Sequence, residues 1–166
     1  KDLKRIRFTT SHPRDLSEEL MRVIESAPRV CEYFHLPLQS GSDRILKMMF
    51  RGYNSNSYIC NINKLRYIVP GLALTTDIIT GFPSETEKDH KESMKVLEEV
   101  EFDNIFLFKY SVRPGTHAAK FKDQVPEGVK SRRFEEIMNL QKEITNRKNQ
   151  SLKGSTQEVL VEGPSP

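Results

Sequence analysis

The side chains best suited to recognising a ligand stand where short apolar runs stop. Gln39 and Ser40 follow Tyr33-Phe34-His35-Leu36-Pro37-Leu38. Asp77 and Thr80 lie in Leu74-Thr75-Thr76-Asp77-Ile78-Ile79-Thr80, and Ser11-His12-Pro13 ends Ile6-Arg7-Phe8-Thr9-Thr10. Arg113 sits in the loop Ser111-Val112-Arg113-Pro114-Gly115-Thr116. Amide, carboxylate and hydroxyl groups supply donors and acceptors. The planar guanidinium of Arg113 offers a fork that fits a carboxylate or a phosphate. Acid–base and metal chemistry have less to stand on. His12, His35, His90 and His117 show no metal-ligand spacing, and Cys31 and Cys60 are far apart in the chain with no close partner. No Ser/His/Asp or Cys/His pair follows from spacing. Ser, Gly and Pro are also simple turn formers, and Gly81 and Gly115 suit turns. Spacing alone therefore leaves a ligand rim and a set of ordinary turns equally open.

The elements that must position these residues alternate in type. A short strand is expected at 5–10. Asp15 and Glu18 then make a capping box for a helix carrying Leu16, Leu20, Val23, Ile24 and Ala27 at helical spacing, closed by Pro28. Residues 33–38 read as the next strand, with Pro37 as its weak point because it donates no ladder hydrogen bond. Ser42 suits the cap of a short helix through Phe50 that buries Ile45, Leu46 and Met49, with Gly52 as the residue that ends it. Residues 54–69 form a further helix with Tyr58, Ile62, Leu65 and Val69 on one face. The run 74–80 is a buried strand, Gly81 and Pro83 punctuate a turn, and Ser84 with Glu87 makes a second capping box for a helix at 86–100. That helix turns His90, Met94, Leu97 and Val100 inward. Residues 102–110 are almost continuously apolar, as in a parallel strand covered on both faces. A long basic amphipathic helix spans 127–151, with Val129, Phe134, Ile137, Met138, Leu140 and Ile144 as its apolar residues. Val159-Leu160-Val161 starts another strand with nothing left to pair locally.

Strands alternating with helices imply the α/β class, a parallel sheet and right-handed crossovers, so the loops after the strands crowd one rim. Four strands are too few to close a barrel. They form a curved open sheet with an unpaired edge at 5–10, which is an association hazard. The chain has 166 residues, of which 36% are hydrophobic and 30% charged, at a net charge of +3. That suffices for one domain of ordinary size. The charge is uneven: seven Lys or Arg against three Glu from 130 to 153, and eight acids against three Lys from 85 to 103. A basic stretch of this kind reads as a polyanion-facing surface or as a solvated helix face. No run approaches the roughly 18 apolar residues of a membrane helix. No signal peptide follows Lys1. The cysteine pattern suits a reducing, cytoplasmic setting, and Lys1 in place of an initiator Met suggests a chain cut from something longer.

Several of these runs carry a resemblance. Residues 6–13, His35-Leu36-Pro37-Leu38-Gln39-Ser40-Gly41-Ser42, Arg51-Gly52-Tyr53, Thr75 through Glu87 and Tyr110 through Thr116 together resemble the radical-SAM methylthiotransferases. The tail Val159-Leu160-Val161-Glu162-Gly163 is similar to the first strand of the TRAM domain that follows in that family. Ser11-His12-Pro13 with Gln39-Ser40-Gly41-Ser42 points to the branch acting on isopentenyladenosine in tRNA. The alternatives are the branches acting on a ribosomal protein or on threonylcarbamoyladenosine.

The resemblance implies a partial parallel (β/α) barrel, with strands 3 to 6 of a radical-SAM domain in residues 1–153 and the start of a TRAM domain in 154–166. It implies S-adenosyl-L-methionine (SAM) and two [4Fe–4S] clusters in the parent protein. The expected reaction is insertion of sulfur and transfer of methyl at carbon 2 of N6-isopentenyladenosine in the tRNA anticodon stem-loop. By the same resemblance Asp77, Ile79 and Gly81 fall where the adenine is met, with Ile79 as the apolar contact. Gln39 and Ser40 fall near the ribose or methionyl end, and Arg51 and Arg113 near the SAM carboxylate or a tRNA phosphate. Ser84 replaces a Gly common in this turn. The family's Cys-x-x-x-Cys-x-x-Cys loop is missing, and neither Cys31 nor Cys60 corresponds to a cluster ligand, so this chain alone is expected to hold no cluster and to be inactive. The competing readings are a non-catalytic RNA-binding module built on the basic helix, and a fragment of a TIM-like hydrolase that lacks a recognisable base, nucleophile or metal triad.

Overall fold

Among the described residues, three parallel strands form one sheet. The computed structural model describes residues 3–9, 12–161 and 163–164. A 3-10 turn at Pro13–Asp15 leads into α1 (Glu18–Ser26), β1 (Tyr33–His35), α2 (Asp43–Met48), α3 (Ser55–Ile68), β2 (Ala73–Thr80), α4 (Glu87–Val100), β3 (Asn104–Lys109), a second 3-10 turn at His117–Lys120, and α5 (Glu127–Ser151). The sheet order is β1-β2-β3. Tyr33 lies opposite Ala73 and His35 opposite Thr75. Thr75 lies opposite Asn104, Asp77 opposite Phe106 and Ile79 opposite Phe108.

Period-two alternation sorts the strand side chains. Phe34, Leu36, Leu38, Leu74, Ile78 and Ile105 are buried in the core with Met21 and Ile24 of α1, Tyr58, Ile62 and Leu65 of α3, Leu97 and Val100 of α4, and Ile137 of α5. The opposite face carries Tyr33, His35, Thr75, Asp77, Ile79, Phe106 and Phe108. Phe106 and Phe108 are 47% and 53% exposed. The strand at 104–109 is therefore covered on one face only, against the expectation from its unbroken apolar run.

Pro37 ends the regular β1–β2 ladder, and Thr76 spans the gap. The Thr76 hydroxyl donates to the Leu36 carbonyl at 2.7 Å and accepts the Leu38 N–H at 2.8 Å. Beyond it the ladder resumes, with Gln39 N–H on Asp77 O at 2.8 Å and Ile79 N–H on Gln39 O at 2.9 Å. The expected strand at 33–38 is thus a regular piece of three residues followed by side-chain and bridge pairing.

Other expectations change at the ends of elements. The strand expected at 5–10 is a single parallel bridge, Ile6 to Val30. Its neighbour turns at 28–29 and bends at 32, so no longer ladder can form. Thr10, Ser11 and Glu162, which belong to motifs quoted above, lie outside the described residues. The α1 cap is Ser17, which accepts from Leu20 N–H at 3.2 Å, and not Asp15, which falls in the preceding 3-10 turn. The α4 cap is Thr86 with Asp89 in a reciprocal box. Ser84 instead sits at φ +66° in the turn. Ser42 stands at the α2 N-cap position without capping it, because its hydroxyl donates to Asp89 Oδ1 at 2.6 Å. The left-handed residue after α2 is Phe50, at φ +56°, ahead of Gly52. Val159, Leu160 and Val161 form no strand and are exposed.

Candidate functional site

A cavity of about 680 Å³ opens beyond the carboxyl ends of β2 and β3, the end of a parallel sheet where ligands bind. Gln39, Asp77 and Ile79 reach it from the sheet, Phe108 from β3, and Arg51, Arg113 and His117 from the loops around it. The Gln39 backbone is held in a strained conformation by β2. Its N–H and carbonyl are both committed to β2 while its φ is +72°, a conformation non-glycine residues rarely adopt unless the surroundings impose it.

Asp77 is backed by a polar column on the face opposite the core. His35 Nε2 lies 3.5 Å from Asp77 Oδ2. His35 Nδ1 is 3.0 Å from the Thr75 hydroxyl, which is 2.9 Å from the Tyr33 hydroxyl. One wall is aromatic: Phe82 meets Tyr110 edge-on at 5.2 Å and Phe121 at 6.2 Å, and His117 meets Phe121 at 5.2 Å. The Tyr110 and Thr80 hydroxyls are buried with no hydrogen-bond partner. Buried polar groups of this kind call for an explanation, and Tyr110 is itself part of the cavity wall.

The structure thus brings Gln39, Asp77, Ile79, Arg51 and Arg113 into one cavity, and leaves two residues of the expected set out of its lining. Ser40 is 1% exposed. Its hydroxyl accepts from Ser42 N–H at 3.2 Å and lies 3.4 Å from the Ser93 hydroxyl. Gly81 lies beneath Lys130, where a β-carbon would overlap the lysine methylenes at φ +74°. Its N–H donates to both carboxylate oxygens of Glu85 at 3.1 Å. Both residues shape the loops that carry the cavity.

Two ionic clusters behind the rim had no single-residue signal in the sequence. Asp89 accepts from Ser42, from Thr86 N–H at 2.8 Å and from Arg44, which also donates to the Ser84 carbonyl at 2.6 Å. Burial opposes ionisation of Asp89, but the bonds from Arg44, Ser42 and Thr86 outweigh it and hold the carboxyl below its ordinary value. The spacing Thr86-x-x-Asp89 was the available clue, since it is a capping pattern too. Arg133 of α5 meets Glu85 in the β2–α4 turn, and burial pushes the Glu85 carboxyl up despite the bonds from Gly81 and Arg133. Arg132 holds the exposed Glu87 carboxyl down to about 2.

These contacts answer the question raised by the basic helix. Arg132 and Arg133 pair with Glu87 and Glu85, Arg147 with Glu101 and Lys148 with Asp103. Much of the α5 charge is spent on the acidic stretch 85–103. Arg51 and Arg113 in the cavity lining, and Arg14 and Lys47 in a neighbouring groove, have no carboxylate partner among the described residues. Most α5 cations are therefore already paired, Lys142 apart, whereas these four are free of carboxylates.

Among the described residues no group of three or more His, Cys, Asp or Glu is placed to hold a metal ion, and Cys31 and Cys60 are free thiols. The residues present therefore do not fit an iron–sulfur cluster. They do fit a nucleoside carrying a charged tail: apolar and aromatic walls for a base, Gln39 and Asp77 for hydroxyl groups, and unpaired guanidinium groups for a carboxylate. No helix among the described residues is long and apolar enough to cross a membrane.

Comparison with known proteins bears on the family and the fold. Residues 1–97 match the family model of the radical SAM superfamily. A Clostridium botulinum protein described as tRNA-2-methylthio-N(6)-dimethylallyladenosine synthase is 49% identical over 163 residues, covering 98% of this chain and 36% of the relative. A protein of Bacteroides thetaiotaomicron with the same description is 52% identical over 162 residues, covering 97% of this chain and again 36% of the relative. The chain thus spans about 36% of the length of these relatives. Among solved structures, coproporphyrinogen III oxidase from Escherichia coli, described as a radical SAM enzyme, superposes with a TM-score of 0.70 over 84% of this chain and 32% of its own, at 19% identity. That likeness concerns the fold.

Proposed function

Because the chain belongs to the radical SAM superfamily, we propose that it is part of a tRNA methylthiotransferase acting at carbon 2 of N6-isopentenyladenosine beside the anticodon. The observation that carries this reading is the convergence of Gln39, Asp77, Ile79, Arg51 and Arg113 on one cavity at the strand ends. SAM bound there would supply the methyl group. Ile79 and the aromatic wall would face its adenine. Gln39 and Asp77 would hold its ribose or its methionyl end, and either Arg113 or Arg51 would meet its carboxylate, with the other left for a tRNA phosphate. His35 and Thr75 keep the Asp77 carboxylate facing the cavity.

In this reading the two [4Fe–4S] clusters are held by cysteines of the parent protein that these 166 residues do not include, and the chain by itself does not turn over. Residues 1–153 are the later part of the radical-SAM domain, 154–166 open a TRAM domain, and the protein works in the cytoplasm.

The test is mass spectrometry of digested total tRNA from a strain lacking the gene. Loss of 2-methylthio-N6-isopentenyladenosine with accumulation of the unthiolated nucleoside is the expected result. Loss of the methylthio group from threonylcarbamoyladenosine or from a ribosomal protein would move the activity to another branch of the family, and unchanged tRNA and ribosomal protein would overturn the reading.

A further inference from the structure

Phe50 combines features that packing does not account for. It is the C′ residue of a Schellman motif: its N–H bonds the Lys47 carbonyl and the Arg51 N–H bonds the Leu46 carbonyl, both at 3.1 Å. Its φ is +56°. Glycine is the usual occupant of that position, because a β-carbon is strained there. The aromatic ring is not compensated by burial, since Phe50 is 75% exposed. It touches His117 edge-on at 5.6 Å. His117 rests in turn on Phe121, so the ring is braced from one side and open on the other.

Phe50 is also the wall shared by two cavities. One is the strand-end cavity described above. The other is a groove of about 910 Å³ lined by Arg14, Lys47, Tyr53, Asn54 and Asn61 among others. Arg14 and Lys47 have no carboxylate partner among the described residues, and Arg51 stands over the Tyr53 ring at 5.8 Å. The carboxylate in the groove, Asp43, accepts the Ser55 N–H at 2.7 Å. Unpaired cations thus line both cavities that share the exposed aromatic ring, and amide and hydroxyl groups line the groove beside it.

We propose that Phe50 is a stacking platform for a nucleobase of single-stranded RNA at the edge of the strand-end cavity, with Lys47, Arg14 and Arg51 along the adjoining phosphates. The proposal rests on the tRNA reading given above. An exposed aromatic ring flanked by unpaired cations is the chemistry that holds unpaired bases and their backbone. A partner protein's apolar face would need a wider apolar patch than one ring among cations and amides.

The experiment uses the full gene product as the cell makes it and an anticodon stem-loop RNA with 2-aminopurine in the loop. Fluorescence quenching reads stacking, and anisotropy at low salt reads affinity. Phe50→Gly is expected to bind about 10-fold more weakly and to lose the quenching. Its melting temperature should rise, because the left-handed residue is relieved. Phe50→Tyr should retain binding and quenching. Opposite signs in stability and binding separate this outcome from a damaged fold. Equal affinity and quenching in Phe50→Gly and wild type would overturn the platform alone. No RNA binding by the wild-type protein would overturn the platform and the tRNA reading together. The expected Phe50 effects in a protein whose deletion leaves tRNA methylthiolation intact would keep the platform and overturn that function.

Discussion

Arg133 and Glu85 face each other inside the protein. Nη1 of the arginine lies 2.7 Å from Oε1 of the glutamate, and the side chains are 5% and 4% exposed. The pair fastens α5 to the turn after β2, where Gly81 presents its N–H to the same carboxylate. Removing one partner of a buried pair leaves an uncompensated charge, which costs about 3–5 kcal/mol. Arg133→Ala should lower the urea midpoint accordingly, and an Arg133→Met/Glu85→Leu double variant should lose much less. An unchanged midpoint in Arg133→Ala would show that the pair is not holding the turn.

Gly81 makes a separate demand on that turn. At φ +74° with Lys130 packed over it, Gly81→Ala incurs roughly 1–2 kcal/mol for the left-handed conformation alone. The methyl group also displaces the Lys130 stem, whose Nζ donates to the Tyr110 carbonyl at 3.1 Å. Thermal unfolding should show a clear drop in Tm, larger than for Gly128→Ala, where a β-carbon meets open space.

Acid stability should depend on Asp89. Its folded pKa lies below the ordinary 3.8, so in the window beneath that value the folded state binds fewer protons than the unfolded one. Stability then rises with pH across the window and is lost as pH falls through it. Glu85 acts in the opposite sense, because burial favours its protonated form. Asp89→Asn should make the acid limb of a stability–pH profile shallower, while reducing stability at neutral pH by unpairing Arg44. A limb of unchanged slope would contradict the assignment.

Cavity residues and loop-shaping residues should separate in a SAM-binding titration of the full gene product. Arg113→Ala and Asp77→Asn should each weaken binding by about 10-fold, the value of one lost charge-assisted hydrogen bond, with little change in Tm. Ser40→Ala should show the reverse, a lower Tm with near-normal affinity, because Ser40 lies under the β1–α2 loop and not in the lining. Isothermal calorimetry and thermal unfolding on the same samples decide the matter.

Regular periodicity carried much of the fold into view. The helices at Ser55–Ile68 and Glu127–Ser151 and the strand at Ala73–Thr80 each repeat apolar residues over enough length to be read directly. Caps were harder, because Asp15, Ser17, Ser84 and Thr86 all have side chains able to accept from a helix N–H, and only the packed chain selects among them. Pro37 was legible as an interruption, but not the Thr76 hydroxyl that spans it 39 residues later in the sequence. Long-range pairing was the blind spot. The basic helix looked available to a polyanion until α4 was packed beside it, and Phe50 gave no hint of its left-handed backbone while Gly52 stood two residues on.

Phe106 and Phe108 stand on an outer strand with no ladder partner on its far side among the described residues. For a chain just leaving the ribosome this sets up a race between two rate laws. Pairing the strand with β2 and packing its inner face is first order, whereas sticking to a neighbouring copy is second order. Recovery on refolding by dilution should therefore fall as protein concentration rises, independently of Tm. A Phe106→Ser/Phe108→Thr variant should flatten that dependence, as followed by light scattering. A concentration-independent yield for the wild type would mean that the edge is no kinetic hazard.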